Sequence, residues 1–457
     1  MTINIEPVSP IMMDLSAYIA RSLERELPAP VVEKAKHHIL DTIAAMVSGA
    51  RLKPGRLAID YVDSLGGRPD CTVIGARFLT NAVNAALVNG MHAHADETDD
   101  SHLGGRFHPG CGVVPSALAA GELAGRSGAD FLKAVVLGYD IGVRFNLSLG
   151  PRKLYAGGHS THSVGTLFGG AAASGALLGL NDTQVRHQLS YAVQQASGVQ
   201  CWIRDDQHVE KAFDFGGMTA RNALAAATMV AAGCTGVDDA LSGHNNFFSA
   251  FSTDPRPDAL VEGLGVRFEI LQASIKKWCI GSPSQAALDA VTVLKREHQL
   301  SADMIESMVL ELPDDRAHLV DNRPMPNLNV QQLMALALVD DMLTFDAAHD
   351  YGRMSEPQLV GLRNRTTLHY SPELTIAEPA RQAKLTILLK DGRELFHHTV
   401  AVKGTPTNPM DREDVSAKAR DLMAPLLGTE QTEALIAQVL GIDEMRSVLE
   451  LRPLLQF

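Results

Sequence analysis

The segment "TLFGGAAASGALLGL", Thr166–Leu180, holds nine Gly, Ala or Ser residues in fifteen. A helix this poor in bulky side chains buries little apolar area of its own, so it is stable only where other helix backbones come close to it. That requirement places the stretch deep inside a helical bundle. "ARNALAAATMVAAG", Ala220–Gly233, reads the same way. In "LPAPVVEKAKHHILDTIAAMVSG", Pro28 and Pro30 punctuate a helix entry. Ile39, Thr42, Ile43 and Met46 then recur at i, i+3, i+4 and i+7, and Gly49 is expected as the C-cap.

After about residue 270 the texture changes. "ESMVLELP" alternates, with Met308, Leu310 and Leu312 on one face of a strand. "KLTILLKDGRELFHHTVAVKG" is a hairpin pattern, with Asp391-Gly392 expected as a two-residue type I′ turn. Helical pattern returns in "EDVSAKARDLMAPLL". The expected fold is mainly α: a large helical domain formed by residues 1–268 and 405–457, with an α+β domain over 269–404 inserted between.

The 457 residues carry a net charge of −13, which disfavours nucleic acid and anionic membranes as general partners. An acidic chain can still hold a small anion where cations gather in a pocket. The five cysteines are scattered with no C-x-x-C pair, which fits a reducing cytosol. "MTINIEPVSPIMMDLSAYIA" lacks the basic start and apolar core of a signal peptide, and no uninterrupted apolar run reaches about 18 residues. A cytoplasmic protein is therefore expected.

"HAHADETDDSHLGGRFHPG", His92–Gly110, gathers four histidines, four acids and an arginine before its Pro-Gly end. Metal ligands on a helix want spacings of three or four, and no strong zinc spacing is present. A solvated surface loop is the bland alternative. Acid–base chemistry is the reading preferred, because further polar islands follow in apolar sequence. "YAGGHSTHSVGT" sets His159 beside a glycine turn at a helix start, while His162 is expected to cap or pack. Lys211 precedes one small-residue helix, and Lys276 and Lys277 precede another loop-to-helix transition. Lysines so placed can bind a carboxylate.

Six segments in order resemble the MmgE/PrpD family: the helix from Leu27, "NGMHAHADETDDSH…HPG", "GGHSTHSVGTLFGGAAASGALLGL", "VEKAFDFGGMTARNALAA", "KKWCIGSPSQAALDA" and "GTPTNPMDREDVSAKARDL". The resemblance implies a helical domain with an inserted α+β lid, a homodimer, and cofactor-free chemistry on a small carboxylate. It puts His108, His159, Lys211 and Lys276 at catalytic positions and Glu97 and Ser101 on the acidic loop. Departures from the family pattern are Glu97 for Asp, Thr98 for Phe, Asp214 and Gln285 for histidines, and Cys279 for proline. The pocket is accordingly less cationic.

Such reactions make or consume a carbanion beside a carboxylate, which needs a positioned base and cations to hold the developing charge. His108 and His159 are the expected proton carriers, with Lys211 and Lys276 gripping the carboxylate. Glu97, Asp100, Ser101, Lys277 and Gln285 are the expected substrate-binding set, and no metal is assigned. The resemblance favours a hydro-lyase similar to 2-methylcitrate dehydratase. An epimerase, a decarboxylase and a non-catalytic carboxylate binder are the alternatives.

Overall fold

The structure, a computed structural model, describes residues 7–457; the first six residues of the amino-terminal stretch lie outside it. The chain divides into two compact units, one comprising the described residues up to Ala273 together with Leu422–Phe457, the other Ser274–Asp421.

The first unit is helical. The helix Thr161–Leu177 is buried along nearly its whole length, and Gly128–Leu149, Gly110–Ala124 and Met218–Ala231 pack on it. Glycine permits that closeness. A Cβ on Gly169 would stand 2.4 Å from the Gly138 carbonyl oxygen, and one on Gly142 would stand 2.5 Å from that of Gly165. Gly138 faces Gly169 and Gly142 faces Gly165, so two antiparallel helices meet backbone to backbone. Phe145 and Phe168, whose rings stack at 3.8 Å, belong to the apolar core beside this seam.

Ile39, Thr42, Ile43 and Met46 are all fully buried, on the helix Ala29–Gly49. Gly49 is not the expected C-cap, which falls to Ala50. Gly49 lies within the last turn, where a Cβ would stand 2.0 Å from the His92 carbonyl oxygen. Its lack of a side chain serves close packing rather than a turn. A π-helical turn, Phe213–Gly217, interrupts the polypeptide just before Met218–Ala231. There Gly216 abuts Gly90, a Cβ on the former lying 2.1 Å from the latter's carbonyl oxygen. The extra residue of such a turn re-aims the side chains around it, here Asp214 and Phe215.

In the second unit a four-stranded sheet runs in the order Thr366–Ser371, Ile305–Pro313, Ala383–Leu389, Glu394–Thr399. The first pair is parallel and the others are antiparallel. Met308, Leu310 and Leu312 are buried as the alternation requires, in one core with the helices Gln285–His298 and Val330–Val339. The hairpin turn departs from expectation. Gly392 has φ 89° but Asp391 does not share a positive φ, and Leu389 and Arg393 close a three-residue loop through a 2.9 Å backbone bond. A type I turn ending in a left-handed glycine therefore replaces the two-residue I′ turn. Among the described residues no helix is long and apolar enough to cross a membrane.

Alanine is a better helix former than glycine by about 1 kcal/mol. At Gly169 or Gly142 overpacking against a backbone carbonyl should outweigh that gain, so G169A and G142A should each lose about 1–3 kcal/mol in urea unfolding. An unchanged midpoint would contradict the seam.

Candidate active site

The loop after the helix Ala82–Ala93 is not a solvated surface. Asp99 and Asp100 are fully buried, and Asp96, Glu97, Ser101 and His102 are each at most 7% exposed. Adjacent buried carboxylates are costly unless each is compensated by several hydrogen bonds. Each is.

Asp100 turns towards the core. Its Oδ2 accepts from His38 Nδ1 at 2.6 Å and from the Tyr139 hydroxyl at 2.6 Å, while its Oδ1 accepts the Gly110 amide at 3.0 Å. Burial alone would raise its pKa, but the bonds from His38 and Tyr139 hold it below the ordinary value. The expected substrate-binding residue thus ties the loop to two helices and to the start of Gly110–Ala124.

Asp99 works as a fork. Oδ2 accepts from His94 Nδ1 at 2.9 Å, and Oδ1 accepts from His108 Nδ1 at 3.0 Å. Burial opposes its ionisation, but the two imidazoles outweigh burial and keep it well below the ordinary carboxylate range. With Nδ1–H given to Asp99, each imidazole turns Nε2 outward from the fork. His94 is fully buried, whereas the His108 side chain keeps 12% exposure. His108 is therefore the ring that a small molecule can reach.

Around this fork the aromatic rings converge. Phe215 stacks on His162 at 3.7 Å and on His94 at 4.2 Å. The His108 ring lies 5.2 Å from His162 and 5.1 Å from His94. Burial, then the neighbouring His108, His94 and Lys211, push the His162 pKa well below its ordinary value. Lys211 is ion-paired to Glu97, and its ammonium sits 5.2 Å from the Phe215 ring and 5.5 Å from that of Trp202. Phe215 and Trp202 thus give that cation a π-face as well as a carboxylate.

The first unit thus brings together His108, Lys211 and Glu97 around Phe215; Ser101, two residues beyond the Asp99 fork, keeps a buried hydroxyl with no partner among the described residues. His159 and His162 lie in different surroundings. His162, on the helix Thr161–Leu177, joins the imidazole cluster, while the His159 ring faces Phe251 at 5.9 Å. The cause is local: His159 precedes the N-cap Ser160, so helical periodicity does not aim it with His162. Asp214 accepts from Ser160 Oγ at 2.5 Å, and burial, opposed by that bond, raises its pKa to about 7.

Lys276, Lys277 and Gln285 belong to the second unit. Lys276 is 4% exposed. Lys277 lies over the Trp278 ring at 4.4 Å and lines a cavity of about 290 Å³ with Asp289, Arg296, His397 and Lys403. Gln285 spends its amide locally: Nε2 donates to the Trp278 carbonyl at 2.8 Å and Oε1 accepts the Trp278 amide at 3.2 Å. In the first unit, a cavity of about 490 Å³ lined by Asn181, His187 and Cys234 shares no residue with the imidazole cluster.

Sequence reasoning passed over His38, Tyr139, Asp99, His94, Phe215 and His208. His94 and Asp99 stood inside the quoted loop, and His38 interrupts the buried face of an apolar helix, which is itself a signal. Nothing in the sequence marks His208, which burial and the Lys211 charge push down to about 3.

The chain is similar to known proteins over most of its length. The MmgE/PrpD N-terminal domain matches residues 13–260 and the MmgE/PrpD C-terminal domain matches residues 278–442. A cis-aconitate decarboxylase-like protein, oryM, of Aspergillus oryzae is 24% identical, covering 98% of this chain and 98% of its own length. The cis-aconitate decarboxylases of Aspergillus terreus (24%, 94% of this chain, 92% of its own) and Mus musculus (25%, 93% and 89%) are similar at comparable depth.

His38 and His92 are buried with pKa values lowered to about 4, chiefly by burial, and His208 is lowered to about 3. In the unfolded chain each titrates near 6.5. A lowered imidazole pKa means that the unfolded chain binds the extra proton first. The stability these rings contribute is complete above about pH 6.5 and should drain away as pH falls towards 4. Urea midpoints measured from pH 7.5 to 4.5 should fall through that window; a flat profile would contradict neutral buried imidazoles.

Proposed function

The chain belongs to the MmgE/PrpD family, and from that membership we propose that it is a lyase acting on a small carboxylic acid with two or three carboxylates. The observation that carries the reading is the Asp99–His108 pair, an imidazole held by a buried carboxylate with its other nitrogen turned outward. A carboxylate at Nδ1 fixes the ring and stabilises the imidazolium that forms when Nε2 takes a proton. Such a group can deliver a proton to carbon or remove one.

Loss of CO₂ is the reaction we favour over the dehydration that the sequence resemblance suggested. The relatives named cis-aconitate decarboxylase, similar over nearly the whole chain, support it. The bond to a carboxylate breaks and CO₂ leaves, its electron pair passes into an enolate-like system stabilised by a neighbouring carboxylate, and His108, after taking a proton from solvent at Nε2, delivers that proton to carbon. Lys211 is the cation proposed to meet that developing charge, since Glu97 and the Phe215 and Trp202 faces fix its ammonium. Lys276 and His159 complete the proposed set from the family's motif positions, with Ser101, Lys277 and Gln285 as further candidates for substrate contact. Asp214 and Gln285, standing where the family pattern has histidines, leave the site less cationic, which favours two carboxylates on the substrate over three. A homodimer in the cytoplasm, without a cofactor, remains the expected setting.

The test is incubation of the full chain with small di- and tricarboxylates in deuterated water, followed by NMR. The reading expects CO₂ release and one solvent deuteron in the product. An alkene without CO₂ loss would restore the hydro-lyase, exchange alone would mean an epimerase, and silence across the panel would overturn the enzyme reading. On the active substrate, H108A should lose about 10²–10⁴ in kcat. Near-normal turnover would remove His108 from the chemistry.

A further inference from the structure

Two buried imidazole nitrogens in the first unit are left without partners. His94 Nε2 and His208 Nε2 make no hydrogen bond among the described residues, although His94 is fully buried and His208 is 8% exposed. A buried ring nitrogen without a partner has given up its hydrogen bond to water for nothing in return, so two together call for an explanation. The rings lie 5.2 Å apart, and one ligand atom from each of His94, His208 and Glu97 falls within 4.8 Å of the other two.

We infer that His94, His208 and Glu97 form a binding site for a divalent transition ion such as Zn²⁺, entered by displacing the Lys211 ammonium from Glu97. The donor set is two neutral imidazoles and a carboxylate, which suits zinc. His94 already has the outer support that zinc-binding histidines use, since its Nδ1–H is held by Asp99 at 2.9 Å, which commits Nε2 as the ligand atom. A tetrahedral ion at about 2.0–2.2 Å from each donor sets its ligands roughly 3.3–3.5 Å apart. The three donor atoms already lie within 4.8 Å of one another, and side-chain rotations of Glu97 and His208 bring them to that spacing. A second grouping, His94 with Asp99 and Cys111, is the poorer one. It would draw on the His94 Nδ1 bond that Asp99 already holds, and burial with the charges of Asp99 and Asp100 keeps the Cys111 thiol protonated.

At present Lys211 neutralises Glu97, so ammonium and metal compete for one carboxylate. A bound ion would release Lys211 from its fixed position and shut down any chemistry that needs it there. The site is thus inhibitory in character and stands whether or not the lyase reading does.

The experiment uses the full chain, stripped with chelator and titrated with Zn²⁺ and separately with Co²⁺. One equivalent of Zn²⁺ per chain should be retained through desalting, and Co²⁺ should show the intense visible absorption of a four-coordinate site. H208Q should lose both. K211M, which removes the competing ammonium, should bind Zn²⁺ at least tenfold more tightly. Absence of a retained equivalent in the native chain, undiminished binding in H208Q, or unchanged affinity in K211M would each overturn the site. Should H208Q fold poorly, the K211M comparison decides alone.

Discussion

Two adjacent carboxylates, Asp99 and Asp100, are fully buried in a chain whose own net charge is already negative. Bare charges there would cost several kcal/mol each. The first unit meets that cost with imidazole and phenol donors drawn from separate helices: His38 and Tyr139 for Asp100, His94 and His108 for Asp99. The pairing does structural and chemical work at once. Asp100 pins the loop to the bundle, and Asp99 orients the two rings beside Phe215. Remove the donors and the loop could not stay buried.

The glycine seams explain how so many polar groups fit. Backbone contact at Gly138–Gly169, Gly142–Gly165 and Gly90–Gly216 brings the helices close enough for side chains from distant parts of the sequence to share one small volume. The π-helical turn at Phe213–Gly217 then puts Phe215 between two imidazoles. In such a dry cluster, charges act more strongly than in water. That is why burial and neighbouring cations drive His162 and His208 downward while Asp99 remains ionised.

Much of this was legible in the residues. The small-residue helix announced its own burial, and the alternation at Met308–Leu312 announced a strand face. The loop His92–Gly110 announced a cluster of interacting ionisable groups through its density of titratable residues. What stayed hidden was direction. Sequence spacing placed His159 and His162 three apart but could not show that the N-cap at Ser160 separates their orientations. Nor could it reveal that Gly49 serves close packing, or that a three-residue loop carries Gly392, because both depend on what approaches from elsewhere. Asp99 and Asp100 are neighbours of identical type, and only their partners distinguish the one that aims His108 from the one that ties the loop down.

The central claim is that Asp99 aims His108, and ¹⁵N NMR of the histidine rings in the native chain and in D99N measures it most directly. The account predicts that His108 of the native chain carries its proton on Nδ1, hydrogen-bonded, with Nε2 bare at neutral pH, and that D99N loses this preference while His38, held by Asp100, keeps its own. A His108 ring protonated on Nε2 alone in the native chain, or one indifferent to the loss of the Asp99 carboxylate, would contradict it.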